Sequence, residues 1–258
     1  MPKGEAPSRL EWGSHEIIGP VHIYRERLML AWLRRFVGVG TILDAGCGTG
    51  SLMIALAKKG FRVCGVERSA NGLRWLVQKA DEAGVLPDVA TAQADVEGLP
   101  FATASFQAIV CGEVLEHLVN DAAAVADFHR ILRPEGVCVI TVPAHPKLWS
   151  FCDEYAGHRR RYTKEMLLGL FESKGFRVLR VGNWGFPFIR LYQRLVFRPY
   201  MYHRQKRQST AVAQMPSGSK SVADIVLLSI ALLFSVDNLF LWGDWGVGFV
   251  LVAQKTAE

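Results

Sequence analysis

The chain has 258 residues, half of them apolar, with 30 Lys and Arg against 24 Asp and Glu; this excludes a disordered polymer and suffices to bury one sizeable α/β core. Its five cysteines lack any CxxC spacing, and Cys64, Cys111 and Cys138 sit in apolar runs, which argues against a disulfide framework or zinc site and for reduced thiols. The opening residues, MPKGEAPSRLEWGSHE, lack the apolar core of a secretory signal, so the expected location is cytoplasmic.

Pro20 to Val37 reads as an amphipathic helix, with Ile23, Leu28, Leu30, Leu33 and Val37 among its apolar positions and Arg25, Arg27, Arg34 and Arg35 as charges. Ile42 to Gly50, ILDAGCGTG, reads as a buried strand entering a glycine turn that opens a helix over Leu52 to Lys59. Glycines at 46, 48 and 50 strip every Cβ from that turn, so backbone can approach a ligand at the helix N-terminus. Two details select the ligand. A dinucleotide fingerprint beginning at Gly46 needs Gly or Ala at position 51, where Ser51 stands. Asp44 would repel a pyrophosphate but attract the ammonium of a methionine tail. The pattern favours S-adenosylmethionine over a nicotinamide dinucleotide.

A second strand, Arg62 to Val66, ends at Glu67, placed to accept hydrogen bonds from ribose hydroxyls. Ala92 to Asp95 closes a third, after which Asp95 and Val96, followed by Leu99-Pro100-Phe101, are suited to the adenine amino group and ring nitrogen. Ser105 to Val110 is a fourth strand, and Glu113-Val114-Leu115-Glu116-His117 opens a helix. Helices over Ala122 to Leu132 and Lys164 to Ser173 and strands at Val137 to Val142, Phe176 to Gly182 and Gly248 to Ala253 complete the pattern.

The ordered set DAGCGTG, GVERS, ADVEGLPF, SFQAIV, EVLEHL and ILRPEGV, within residues 36–145, resembles the class I S-adenosylmethionine-dependent methyltransferases of the ubiquinone-biosynthesis-like group. The resemblance implies a Rossmann-like, seven-stranded, mostly parallel sheet with helices on both faces and an antiparallel sixth and seventh strand. Residues 1–37 then form a helical cover, 38–184 the donor-binding domain, 185–246 a helical insertion and 247–258 the final strand. It also implies donor contacts at Asp44, Gly46, Cys47, Gly48, Gly50, Glu67, Asp95, Val96 and Gly112, with Arg27 for the donor carboxylate. Gln107 stands where the family usually has Asp.

Glu113, Glu116 and His117 place three ligand types on one expected helical turn, an oxygen and imidazole set suited to magnesium or another divalent ion. The motif is similar to the metal-binding one of quinone O-methyltransferases and small-RNA 2′-O-methyltransferases, with His145 a conceivable fourth ligand; many relatives use the same letters only to line the pocket. Methyl transfer from a sulfonium mainly requires alignment and water exclusion. The acceptor must still lose a proton, and His117, His145, His158 and Tyr162, together with Asp153 and Tyr155, are the unranked candidates for the base. In Gly157 to Thr163, three arginines at 159–161 either receive an anion or pair with Asp153 and Glu154 while Thr163 caps the next helix.

Residues 151–258 carry 15 bases and 8 acids, and no acid lies between Ser173 and Ala223. Phe188 to Phe197 has helical spacing, with Arg190, Arg194 and Arg198 in a stripe. Ile225 to Val236, IVLLSIALLFSV, is too short for the roughly 20 residues of a membrane span, which leaves a buried core helix or an interfacial one. Ser221 and Asp224 suit its N-terminal end, Gln205 to Lys220 reads as a loop or lid, and Phe240, Leu241, Trp242 and Trp245 suit a lipid boundary. The expected partners are a small or lipid-like, isoprenoid-linked acceptor and an anionic membrane surface. A nucleic-acid role would want aromatics interleaved with bases over an open groove, whereas the apolar insertion argues for an amphiphile. The rival readings are metal-dependent O-methylation of a quinone or an RNA 2′-hydroxyl, a non-catalytic S-adenosylmethionine-binding protein, and a nicotinamide oxidoreductase.

Overall fold

The computed structural model of the chain describes residues 19–38, 40–207 and 222–256. The expected lid from residue 208 onward, the cap at Ser221 and the cover's first 18 residues lie outside the described residues, as does the side chain of Asp224. Seven strands, β1 (Thr41–Ala45), β2 (Arg62–Glu67), β3 (Val89–Gln93), β4 (Phe106–Gly112), β5 (Leu132–Pro143), β6 (Phe176–Trp184) and β7 (Gly248–Lys255), form one sheet in the order β3-β2-β1-β4-β5-β7-β6. β1 to β5 pair in parallel, while β7 runs antiparallel between β5 and β6. The strand order reverses beside β1, where β2 lies on one side and β4 on the other, and such switch points open a crevice at the carboxyl ends of the strands.

The central strands are apolar on both faces because helices cover both. Tyr24, Leu28, Met29 and Trp32 of α1 (Pro20–Leu33) share one core with Met53 and Leu56 of α2 (Ser51–Ala57) and Leu76 of α3 (Ala70–Glu82). Val125 and Phe128 of α4 (Asp121–Ile131) share the other with Leu167 and Phe171 of α6 (Lys164–Glu172). Side-chain caps define the helix starts: Ser69 Oγ accepts from the Gly72 amide, Asn120 Oδ1 from Ala123, and Thr163 Oγ1, as expected, from Met166. All five cysteines are free thiols.

Three expectations are corrected. The sequence from Glu113 does not open a helix: Glu113 has φ 57°, and only Leu115–His117 make a single 3-10 turn. The helical stretch expected at Phe188 to Phe197 is longer, running as α7 (Phe188–Tyr192), a π-helical turn (Gln193–Phe197) and α8 (Arg198–Arg207). IVLLSIALLFSV is not a core helix. α9 (Val222–Leu233) buries Ala231 and packs on α1, with Phe234 buried just beyond its end, while Ile225, Val226, Leu228, Leu232 and Leu233 remain between 43% and 59% exposed. No helix among the described residues is long and apolar enough to cross a membrane.

Asp237 ties the insertion together. Fully buried, it accepts from the amides of Phe188 (2.9 Å) and Ile189 (3.0 Å) at the start of α7. Asp237→Ala strands two buried donors, and its expected cost is about 1–3 kcal/mol in urea unfolding; an unchanged midpoint and slope would show the bonds to be dispensable.

Candidate active site

A cavity of about 710 Å³ runs along the carboxyl ends of β1, β2 and β4, beneath α1 at one end and α7 and α8 at the other. At the end beneath α1 the glycine turn contributes bare main chain. Gly46 has φ 80°, and a side chain there would collide with Val114. Gly48 lines the cavity at φ 53° with open space where a Cβ would point, so a ligand can reach its backbone. Its amide donates to Glu67 Oε2 (3.2 Å), whose Oε1 accepts from the Ser69 amide (2.9 Å). Asp44, Cys47, Glu67, Asp95, Val96 and Gly112 also line the cavity. Gly50 does not; its φ of 81° turns the chain against Leu76.

The electrostatics of this end suit a cation. Asp44 is 3% exposed, and burial, then the neighbouring Glu26 and Glu67, push its carboxyl up to about 8. An ammonium or sulfonium placed here relieves both causes, since it supplies the counter-charge that the protein withholds. Cys47 is no nucleophile: burial and the charge of Asp44 drive its thiol far above the usual range.

Sequence reasoning missed the latch formed by α1. Ser51 Oγ donates to Glu26 Oε1 (2.5 Å), His22 Nε2 lies 3.0 Å from the same oxygen, and Arg25 Nη2 lies 3.2 Å from His22 Nδ1. Although burial opposes it, the His22 and Ser51 hydrogen bonds hold the Glu26 carboxyl below its ordinary value. The signal was present in His22 and Glu26, an i, i+4 pair on one helix face. Arg27 is the corresponding correction: it is exposed and lines a different cavity, while Arg25 lines this one, with its buried Nε lacking a hydrogen-bond partner and Nη1 lying 3.8 Å from Glu113 Oε2. Two residues along a helix amount to about 200° of rotation, enough to move a side chain to the opposite face.

At the other end, α5 (Phe151–Ala156) and the following loop bring Asp153, Tyr155 and His158 to the cavity beside His117. Asp153 Oδ1 lies 2.9 Å from His158 Nδ1 and accepts from Arg161 Nε (2.7 Å). Burial works against the charge, yet the bonds from His158 and Arg161 hold the Asp153 carboxyl at about 2. His158 Nε2 then faces Glu116 Oε1 at 3.8 Å. Glu116 is fully buried, both its carboxylate oxygens lack hydrogen-bond partners, and burial followed by the charge of Glu113 raises its pKa well above the ordinary value. Burial, then the neighbouring His158, brings His117 down to about 4, so its imidazole is neutral.

Among the described residues, Glu116, His117 and His158 present ligating atoms within 4.8 Å of one another. Glu113, expected in that set, turns instead toward Arg25. His145 is displaced as well: it does not line the cavity and lies 3.2 Å from Asn183 Nδ2 and 3.5 Å from Asp244 Oδ1. Tyr162 is 1% exposed and donates to Asp121 Oδ2 (2.7 Å), and burial and that bond push its hydroxyl far above the range in which it could act as a base. The three arginines bond within the protein, although Arg159 and Arg161 also line the cavity. Arg159 Nε donates to the His117 carbonyl (3.0 Å), Arg160 pairs with Asp121 (2.7 Å) and Arg161 grips Asp153 through two nitrogens. Arg159 and Arg160 hold the His117 and His158 segments together, 41 residues apart in sequence.

Residues 21–181 match the family described as a methyltransferase domain. The chain belongs to this family of methyltransferase domains. It is 30% identical over 154 residues to the ubiquinone biosynthesis O-methyltransferase of Pseudomonas paraeruginosa (strain DSM 24068 / PA7), covering 58% of this chain and 65% of that relative. Against the enzyme of the same name from Psychrobacter arcticus (strain DSM 17307 / VKM B-2377 / 273-4) it is 33% identical over 112 residues, 43% of this chain and 44% of the relative. The chain thus spans less than two thirds of the length of these relatives. The fold is shared with Haemonchus contortus phosphoethanolamine N-methyltransferase 2 in complex with S-adenosyl-L-methionine (TM-score 0.61, 20% identity, 90% of this chain and 53% of that one). It is also shared with the [4+2]-cyclase SpnF (TM-score 0.63, 20% identity, 90% and 81%).

The Asp44 environment yields a signed expectation. Below about 8 the carboxyl is protonated in the free protein and must ionise to pair with the donor's ammonium. Affinity for S-adenosylhomocysteine should therefore rise by up to about tenfold per pH unit toward that value in calorimetric titrations, whereas Asp44→Asn should bind weakly with a flat profile. A flat profile in the unmodified protein would refute the pairing.

Proposed function

We propose that this chain transfers a methyl group from S-adenosylmethionine to an oxygen of a lipid-like, isoprenoid-linked acceptor at a membrane surface. The observation that carries the reading is the single cavity in which the anionic glycine turn and the His158–Asp153 pair face a shared space, walled by Tyr192, Phe197 and Met201 of the insertion. The apolar wall suits a prenyl or acyl chain better than a nucleic-acid backbone, and the exposed apolar side of α9 suits a lipid boundary.

The donor supplies an electrophilic methyl group on a positively charged sulfur that leaves as neutral S-adenosylhomocysteine. Asp44 holds the ammonium of its amino-acid tail, Arg25 takes the carboxylate in place of Arg27, and Glu67 accepts from the ribose hydroxyls. Asp153 fixes the ring of His158 through Nδ1, which leaves Nε2 to receive the acceptor's hydroxyl proton as the oxygen–carbon bond forms and the carbon–sulfur bond breaks. The latch of His22, Glu26 and Ser51 keeps α1 over the reacting centre and helps to exclude water.

A second reading is favoured by the two unpartnered oxygens of buried Glu116. Glu116, His117 and His158 fit a divalent cation: a carboxylate without protein donors, a neutral imidazole and a histidine oriented by a carboxylate behind it. A cation held there would acidify the acceptor hydroxyl and replace His158 as the source of activation.

His158→Ala should lower kcat by about 10²- to 10⁴-fold, with S-adenosylhomocysteine affinity unchanged, in an assay of labelled methyl transfer to a membrane lipid extract. Full activity of the variant would remove His158 from the chemistry, and an absence of methylated product with the unmodified protein would favour donor binding without transfer. Manganese titration followed by electron paramagnetic resonance separates the second reading: bound ion lost in Glu116→Gln supports it, and no bound ion in the unmodified protein retires it alone.

A further inference from the structure

A second cavity, of about 410 Å³, lies between α1, β6 and the segment that follows α9, apart from the donor cavity. Arg27, Arg35 and Arg180 line it, with Ser235 and Asn238 and no acid. Arg180 is clamped between two indoles, its guanidinium carbon 4.8 Å from the Trp32 ring centre and 4.9 Å from that of Trp242, which orients the fork without neutralising it. Among the described residues no acid forms an ion pair with any of the three arginines. Asp237, adjacent in sequence to the pocket residue Asn238, is committed to the α7 amides. Three positive groups around one concavity repel one another, and an anion between them relieves that repulsion.

The rim identifies the anion's source. Leu232 lines the pocket yet is 53% exposed, Trp242 is 76% exposed and Leu239 77%, and Ile225 and Leu228 extend the apolar strip along α9. A soluble phosphate would leave that strip bare, whereas a phosphate carrying acyl chains covers it. We propose that this pocket binds the phosphate headgroup of an anionic glycerophospholipid, with the acyl chains against the exposed side of α9. The proposal rests on the membrane-surface part of the functional reading and adds to it a defined lipid site.

Flotation with phosphatidylcholine vesicles, with and without phosphatidylglycerol, tests it. The unmodified protein should float with the phosphatidylglycerol vesicles and not with phosphatidylcholine alone. Arg27→Gln/Arg35→Gln, both at exposed positions, should weaken that association by at least about tenfold, and adding Arg180→Gln should abolish it. Lys58→Gln/Lys59→Gln, an equal charge change on the exposed end of α2, should leave it intact. S-adenosylhomocysteine binding, retained in all variants, verifies folding. If no vesicle binds the unmodified protein, the membrane-surface reading and the site fall together. If anionic vesicles bind all variants equally, the site alone falls. Tight binding of glycerol phosphate without any vesicle binding would overturn the lipid assignment in favour of a soluble phosphate.

Discussion

Buried carboxylates whose ionisation the protein opposes organise the cleft. Asp44, at the end of β1, and Glu116, beyond β4, are almost or wholly excluded from water, and the nearest charges to each include further acids. Burial of this kind costs free energy that folding alone does not recover. The cost is tolerable when a cation completes the site, and the proposed donor would bring positive charge to the point where Asp44, Glu26 and Glu67 converge. The sheet's switch point makes this convergence geometrically natural, since the strands on either side of β1 turn their connections apart.

The end beneath α7 and α8 follows a different logic at Asp153, which is over-supplied with donors while Glu116 beside it has none. Asp153 meets His158, Arg161 and the Ser150 amide and so remains ionised. Arg159 and Arg160 bind carbonyls of residues 117–119. The loop after α5 is thereby stapled to the turn after β4, and the imidazole of His158 is positioned by its bond to Asp153. The insertion then closes this end with aromatic and aliphatic side chains while leaving its outer face apolar and uncovered.

Much of this architecture was legible in the sequence, because strand runs and a glycine turn are local signals. ILDAGCGTG located the glycine turn that lines the cavity, and the 60-odd residues between the last two strands announced an insertion. Side-chain direction was less legible. EVLEH looked helical, yet the positive φ at Glu113 swings its carboxylate to Arg25 and leaves Glu116 and His117 to meet His158, a partner no local pattern could name. Through helix phase alone, Arg27 faces away from the cavity that Arg25 lines. His145 and Tyr162 carried suitable chemistry but point to Asn183 and Asp121, contacts set by tertiary packing. The apolar run in α9 was visible, and only the structure reveals that half of it faces outward.

The most direct test is a carbon-13 NMR titration of the Asp44 side chain in the free protein and in its complex with S-adenosylhomocysteine. The account predicts a carboxyl that titrates at about 8 in the free protein and stays ionised down to the ordinary carboxylate range once the ligand is bound. A carboxyl that titrates in the ordinary range in both states would contradict it.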